Sequence, residues 1–142
     1  MSRASERRSP AAQRHADTVR FVLFEARPAD LTFHQLVRSS ELSPSQARVG
    51  LACLRDIIAE RGWPPLTWTR PDGYKVCSDP AEAQAYQVAI IREKLTEIRR
   101  FITGVVAPHA VLQPKGRWTK HLNTQLRSVE STLDVIADYI DV

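Results

Sequence analysis

The sequence contains few of the residues on which redox, secreted or metal-binding proteins depend. Only two cysteines, Cys53 and Cys77, occur among its 142 residues, which is too few for the disulfide framework of a small extracellular domain. Cys53 falls near the buried side of a predicted helix and Cys77 closes a predicted hairpin, so we interpret both as unpaired thiols that pack in the interior. With this cysteine usage, a cytoplasmic location is the default expectation.

Long apolar runs are also missing. No stretch approaches the roughly 20 apolar residues that a membrane-spanning helix needs. Residues 1–16 are polar and basic, without the apolar centre of a signal peptide. We therefore expect a protein that has no membrane partner.

Nothing in the sequence indicates catalysis. The four histidines, at positions 15, 34, 109 and 121, show no metal-ligand spacing with one another or with the cysteines. A glycine-rich phosphate loop and a nucleophile motif of the G-x-S-x-G type are both missing. The sequence thus predicts neither an enzyme nor a cofactor or metal site, and no small-molecule site is evident.

The positive charge is unevenly distributed. The formal net charge is +4; residues 1–77 carry 12 Lys and Arg against 8 Asp and Glu, whereas residues 78–142 carry 8 against 8. An excess of positive charge in one half is typical of a domain that contacts nucleic-acid phosphates. The frequent arginine and alanine are typical of high-GC genomes and agree with an actinobacterial or phage (mobile-element) origin.

Residues 43–76 contain the most informative pattern. Ser43 can cap a helix through its hydroxyl, and Pro44 fits the first helical position because its missing N–H is unpaired there. Gly62 is predicted to end this helix, because glycine adopts the left-handed conformation at little cost. The apolar stripe of the helix is Ala47, Leu51, Leu54 and Ile58.

A β-hairpin is predicted directly after this helix. Two β-prone runs, residues 66–70 and 74–76, are joined by the Pro-Asp-Gly turn at 71–73. We expect Trp68, on the first strand, to pack on the helices.

A longer helix is predicted near the start of the chain. Ser9 and Pro10 form another cap and first turn, and the helix is expected to end near Ala26, because Pro28 disfavours helix in the residue before it. The predicted apolar stripe of this helix is Val19, Val22, Leu23 and Ala26, widened by Phe21 and Phe24.

The order of these elements resembles the winged helix-turn-helix DNA-binding domain. Thr32 is predicted to cap a short helix over residues 33–38, and residues 39–42 connect it tightly to the Ser-Pro-capped helix and the hairpin. The resemblance covers roughly residues 16–77. It implies that Leu31 adds a strand of one or two residues to the wing. It implies that the second helix of the pair enters the major groove of DNA, with its N-terminal residues reaching the base edges.

The resemblance also selects candidate DNA-binding residues. With the apolar stripe turned inward, the outward positions near the start of the helix offer Gln and Arg, which can bond adenine and guanine edges, and Ser. Two basic residues of the hairpin are placed to touch the phosphate backbone. The candidates are Ser43, Ser45, Gln46, Arg48, Val49, Arg70 and Lys75.

Residues 1–9 are predicted to be a flexible basic arm, because they are short, polar and rich in arginine. Arg3, Arg7 and Arg8 either follow DNA phosphates or belong to a loose tail; the sequence leaves both open.

The region from residue 78 onward is predicted to form two long helices. The first has a stripe with the period of a helical bundle, residues 108–116 form a connection, and the second has the same kind of stripe. Such stripes can pack as an antiparallel hairpin, against the winged domain or against a second subunit, and we favour a homodimer. The candidate dimerisation residues are Ile91, Leu95, Ile98, Ile102, Leu122, Leu126, Val129 and Leu133.

Together these patterns predict a mainly α protein with a small β-hairpin wing, in which a winged helix-turn-helix is followed by two long α-helices. The domains are residues 1–9, the arm; 10–77, the winged domain; and 78–142, the helical hairpin. The expected function is sequence-specific binding of double-stranded DNA as a dimeric transcriptional regulator. The alternative is a protein-interaction adaptor or inhibitor that uses the long helices, with a winged domain that does not bind DNA.

Overall fold

The structure, a computed structural model, describes residues 8–139. In this range the chain is mainly helical, with one two-stranded antiparallel hairpin, which confirms the expected mainly α class with a small hairpin. The chain forms two compact units, the first ending at Ala83 and the second beginning at Gln84. None of the helices in the described range is long and apolar enough to cross a membrane.

The first unit contains three helices and the hairpin. Each helix begins at a residue whose hydroxyl accepts a hydrogen bond from a backbone N–H in the first turn: Ser9, Thr32 and Ser43. All three predicted helix starts are therefore confirmed. The elements are α1 Pro10–Ala26, α2 Phe33–Ser40, α3 Pro44–Ile57, β1 Leu66–Thr69 and β2 Gly73–Val76.

The core of this unit forms where α1 crosses α3. The crossing is close because Gly50 of α3 has no side chain; a Cβ there would lie 2.8 Å from the carbonyl oxygen of His15 and 3.0 Å from Val19 Cγ2. Apolar side chains from both helices, from α2 and from β2 fill the interior. The buried cluster is Ala12, Ala16, Val19, Leu23, Leu36, Leu51, Cys53, Leu54, Ile57 and Val76.

The hairpin is held to the helices by a third backbone segment. Leu31, which precedes α2, pairs with Tyr74 of β2; its N–H donates to the Tyr74 carbonyl at 2.8 Å and the Tyr74 N–H donates back at 2.7 Å. The expected short strand at Leu31 is thus confirmed. Gly73 makes the approach possible, because its φ is +95° and its missing side chain leaves room for the backbone of Leu31 and Thr32.

The end of α3 differs from the prediction. The α-helix ends at Ile57 and a turn leads to Gly62, whose φ of +65° is left-handed as expected. Ile57 is buried, whereas Ile58 of the predicted stripe is only half-buried. The α-helix thus ends before Ile58, and Ile57, three residues after Leu54, takes the buried position that was predicted for Ile58.

Two large apolar side chains are more exposed than predicted. Phe21 is 60% exposed, because it lies two residues from both Val19 and Leu23 and so points away from the buried face of α1. Trp68 is 43% exposed. It lies opposite Tyr74 near the turn, where the centroids of the two rings are 6.3 Å apart.

The second unit is a helical hairpin. Its elements are α4 Pro80–Phe101, a π-helical segment Ile102–Val106, α5 Ala107–Leu112 and α6 Arg117–Ala137. The predicted connection over residues 108–116 is therefore helical up to Leu112. Pro108 is the second residue of α5, which continues directly from the π-helical segment.

The long helices α4 and α6 pack antiparallel. Arg99 joins them, with Nη2 3.0 Å from Asp134 Oδ1 and Nε 3.7 Å from Glu130 Oε1. Leu95 and Ile102, two of the predicted dimerisation residues, are only 5% and 9% exposed in the single chain. In the single chain both side chains fill the interior of the hairpin, which leaves them almost no surface for another subunit.

Candidate nucleic-acid interface

The N-terminal half of α3 presents a polar face to solvent. The residues that the sequence placed outward, Ser45, Gln46, Arg48 and Val49, are all exposed. They are exposed because the other side of the helix, with Ala47 and its buried neighbours, packs against α1. The predicted outward face is therefore confirmed.

Two of the candidate residues on this helix are engaged in starting it. The Gln46 side-chain oxygen accepts a hydrogen bond from the Ser43 N–H at 3.0 Å, and the Ser43 hydroxyl accepts one from the Gln46 N–H at 3.1 Å. This reciprocal pair is a capping box. Bidentate pairing with adenine needs both the oxygen and the nitrogen of the amide, so Gln46 and Ser43 are better understood as residues that hold the helix start.

Arg48 is oriented by an aromatic ring. Its guanidinium carbon lies 4.6 Å from the centroid of the Phe33 ring on α2, a distance at which a cation is attracted to the ring face. In residues 8–139 no carboxylate forms a salt bridge with Arg48. Its five N–H donors therefore remain available for a ligand.

Arg55 belongs to the same face and was missed by the sequence analysis. It follows Arg48 by seven residues, which is two helical turns, and it is exposed. Its guanidinium carbon lies 5.9 Å from the centroid of the Tyr74 ring on β2. The spacing of seven from Arg48 was the signal in the sequence that could have identified it.

Arg38 and Arg70 are two further exposed arginines of the first unit. Arg38, in the last turn of α2, lines a shallow depression together with Leu31, Gln35 and Ser39. Arg70 follows β1 at the turn of the hairpin. Neither arginine has a salt-bridge partner within the described residues.

Lys75, the second candidate of the hairpin, is already paired. Its Nζ donates to Glu82 Oε1 at 2.6 Å, its side chain is only 14% exposed, and this hydrogen bond raises the pKa of Lys75. A neighbouring carboxylate offsets the charge that a phosphate would attract. Lys75 is therefore a weaker phosphate-binding candidate than Arg70.

The predicted basic arm lies mostly outside the described residues, which include neither Arg3 nor Arg7. Arg8 is described and forms a salt bridge with Glu60, just after α3. The hydrogen bond from Arg8 lowers the pKa of Glu60. Arg8 is thus engaged by the first unit.

Other arginines of this unit stack with aromatic rings. Arg20 lies between two rings, with its guanidinium carbon 4.3 Å from the centroid of Phe24 and 4.4 Å from that of Trp63. Arg27 contacts the Phe24 ring at 4.3 Å and Arg61 contacts the Trp63 ring at 5.2 Å. Arg20 and Arg61 join α1 to the turn after α3, because Arg61 also pairs with Asp17 of α1. They contribute to packing more than to the face of α3.

No group of histidines, cysteines and carboxylates suited to a metal ion occurs within residues 8–139. Cys53 and Cys77 are unpaired and buried, as the sequence predicted, and burial raises the pKa of Cys53. The chemistry that the first unit displays is thus the hydrogen-bonding and positive charge of exposed arginines.

Comparison with known proteins gives no relative: no family model, no curated protein and no solved structure matches this chain. The function is therefore argued from the interface itself.

Proposed function

We propose that the first unit binds double-stranded DNA in a sequence-specific manner and that the protein is a transcriptional regulator. In this proposal the unit acts as a winged helix-turn-helix domain, with α3 in the major groove and the β1–β2 hairpin as the wing. The observation that carries the proposal is the pair Arg48 and Arg55, exposed on one face of α3 and without carboxylate partners in the described range.

The dimensions of α3 suit a groove. The two arginines are separated by about 10 Å along the helix axis at a rise of 1.5 Å per residue, which is about three base pairs at 3.4 Å each. Arginine forms bidentate hydrogen bonds with the guanine edge in the major groove. Val49 is 41% exposed, and an apolar side chain there suits a thymine methyl group.

The first prediction concerns base recognition. Arg48→Ala and Arg55→Ala are each expected to weaken binding to a selected site by about 1–3 kcal/mol and to relax its sequence preference, because a bidentate contact to guanine is lost. The site is obtained by selection from a random DNA library, and affinities are measured by fluorescence anisotropy at fixed salt. Arg14→Ala is the matched control, since it removes an equal charge from the exposed surface of α1.

The outcome discriminates between kinds of contact. If Arg48→Ala and Arg55→Ala reduced binding to selected and random DNA equally, the two arginines would contact only the backbone. If the wild-type protein enriched no sequence in the selection, the proposed function itself would be wrong.

The second prediction concerns the wing. Arg70→Ala is expected to reduce the slope of log K against log salt by about 0.9, the value for one lost phosphate contact on duplex DNA. Lys75→Ala is expected to change the slope less, because the Lys75 charge is paired with Glu82. The measurement is a salt titration with random-sequence duplex. Equal changes in slope would show that the Lys75–Glu82 pair opens on DNA, and an unchanged slope in Arg70→Ala would place the turn away from it.

A further inference from the structure

Helix α6 buries only part of its apolar stripe within the hairpin. Thr119 and Ala137, each 6% exposed, are 18 residues apart, about five turns, and mark the line of α6 that is buried inside the hairpin. Trp118 and Ile136 are also 18 residues apart, one position earlier, and are 64% and 44% exposed. Leu122, Leu126 and Leu133 lie between these two lines and are half-buried. The inner part of the apolar stripe thus packs within the hairpin, while its outer part, which includes Trp118 and Ile136, lies at the surface.

The same side of the hairpin is apolar on α4 and on the π-helical segment that follows it. Leu95 and Ile102 are buried, whereas Ile98 is half-buried and Val105, seven residues later, is 55% exposed. Arg99 binds Glu130 and Asp134 and so places the charged groups along one edge of the antiparallel pair. The opposite edge, which we name the apolar edge, is formed by Ile98, Val105, Trp118, Leu122, Val129 and Ile136.

We propose that the apolar edge is the surface through which a second copy of this chain associates, hairpin against hairpin, to give a four-helix bundle. A two-helix hairpin needs only a narrow seam, whereas the apolar stripe of α6 extends about 100°, from the buried line of Thr119 and Ala137 to the exposed line of Trp118 and Ile136, which is the width of a bundle helix. The predicted dimer contact thereby moves from Leu95 and Ile102 to the apolar edge.

The size and charge of the apolar edge fit this occupant. From Trp118 to Ile136 the edge is about 27 Å long, and two neighbouring helices are about 20 Å wide, so each copy offers about 500 Å². Two copies then bury about 1,000 Å², the lower bound of a specific interface. The residues that form the edge are uncharged, and the Arg99 ion pairs lie on the far edge. Lys94, one turn before Ile98, is exposed on the near side and pairs with Glu97 at 3.5 Å, so two copies meet without burying an unpaired charge.

The test measures mass without DNA, so its result is separate from the fate of the DNA-binding proposal. In sedimentation equilibrium at micromolar concentration, the wild-type chain is expected at twice its 16.0 kDa mass. Val129→Asp and Trp118→Glu are expected to sediment as single chains. Ser128→Asp is the matched control: it places the same charge next to Val129 on an exposed position away from both helix lines, and it is expected to remain a dimer.

Circular dichroism of each variant verifies that the helices are retained. Trp118→Glu is expected to disturb folding less than Val129→Asp, because Trp118 is the more exposed of the two residues. A wild-type mass of one chain overturns the proposal and leaves the apolar edge to a different protein, as the adaptor alternative requires. A dimer that persists in both folded variants also overturns it, because the contact then lies elsewhere.

Discussion

Gly73→Ala is expected to detach the hairpin from Leu31 and to lower the free energy of unfolding by about 2–5 kcal/mol, the combined cost of backbone strain and overpacking. A methyl group on Gly73 would lie 2.7 Å from the Cα of Thr32 and closer still to the carbonyl oxygen of Leu31. These are backbone atoms, which cannot rotate away. The φ of +95° adds a conformation that L-residues rarely adopt.

The measurement is urea unfolding followed by circular dichroism, with Gly62→Ala as the matched control. Gly62 also has a positive φ, +65°, but a Cβ there would meet no atom within 4 Å. Its substitution is expected to cost only about 1–2 kcal/mol, the conformational term alone. Equal losses in the two variants would mean that the contact between Gly73 and Leu31 contributes nothing to stability. Affinity for DNA is expected to fall in Gly73→Ala but not in Gly62→Ala, because only Gly73 supports the wing.

Gly50→Ala is expected to destabilise the first unit by about 1–3 kcal/mol, since overpacking opposes the crossing of α1 and α3. The sign of the change in unfolding free energy is informative, because replacing glycine with alanine inside an isolated helix stabilises it by about 1 kcal/mol. At Gly50 the added methyl would lie 2.8 Å from the His15 carbonyl oxygen and 2.9 Å from its carbon, so the two helix backbones must separate.

Gly104→Ala is the matched control, and its effect on stability is expected to have the opposite sign. It lies in the helical segment Ile102–Val106, and a Cβ there would meet no atom within 4 Å. It is expected to raise stability by about 0.5–1 kcal/mol. The measurement is thermal unfolding of both variants and of the wild type. A Gly50→Ala protein more stable than the wild type would contradict the close crossing of α1 and α3.

The sequence was sufficient where structure depends on a few neighbouring residues. Ser9, Thr32 and Ser43 each start a helix as predicted, because a cap needs only a hydroxyl and the backbone N–H groups two or three residues later. The strand pairing at Leu31 was implied by the resemblance to the winged helix-turn-helix domain. Burial was harder to predict, because the exposure of Phe21 and Trp68 depends on which faces distant elements cover.

The candidate interface was predictable in part. The exposure of Ser45 and Arg48 follows from the apolar stripe of α3. The capping role of Gln46 was also present in the sequence, since Ser followed three residues later by Gln is the capping-box signature. Arg55 could have been predicted only by following the exposed face of α3 for two further turns beyond Arg48. The role of Gly50 could not be predicted, because a glycine inside a helix looks unfavourable until the crossing helix is known.

Both cysteines of the chain are enclosed, with Cys53 0% and Cys77 1% exposed. Burial raises the pKa of Cys53, so little thiolate is present at neutral pH to react with a maleimide. A cysteine introduced at Arg70 or Ser128, both exposed, then becomes the fast-reacting thiol of the folded protein. A fluorophore or spin label can be attached there while both native cysteines stay in place, and distances from the turn of the hairpin to DNA, or between two copies of α6, become measurable directly.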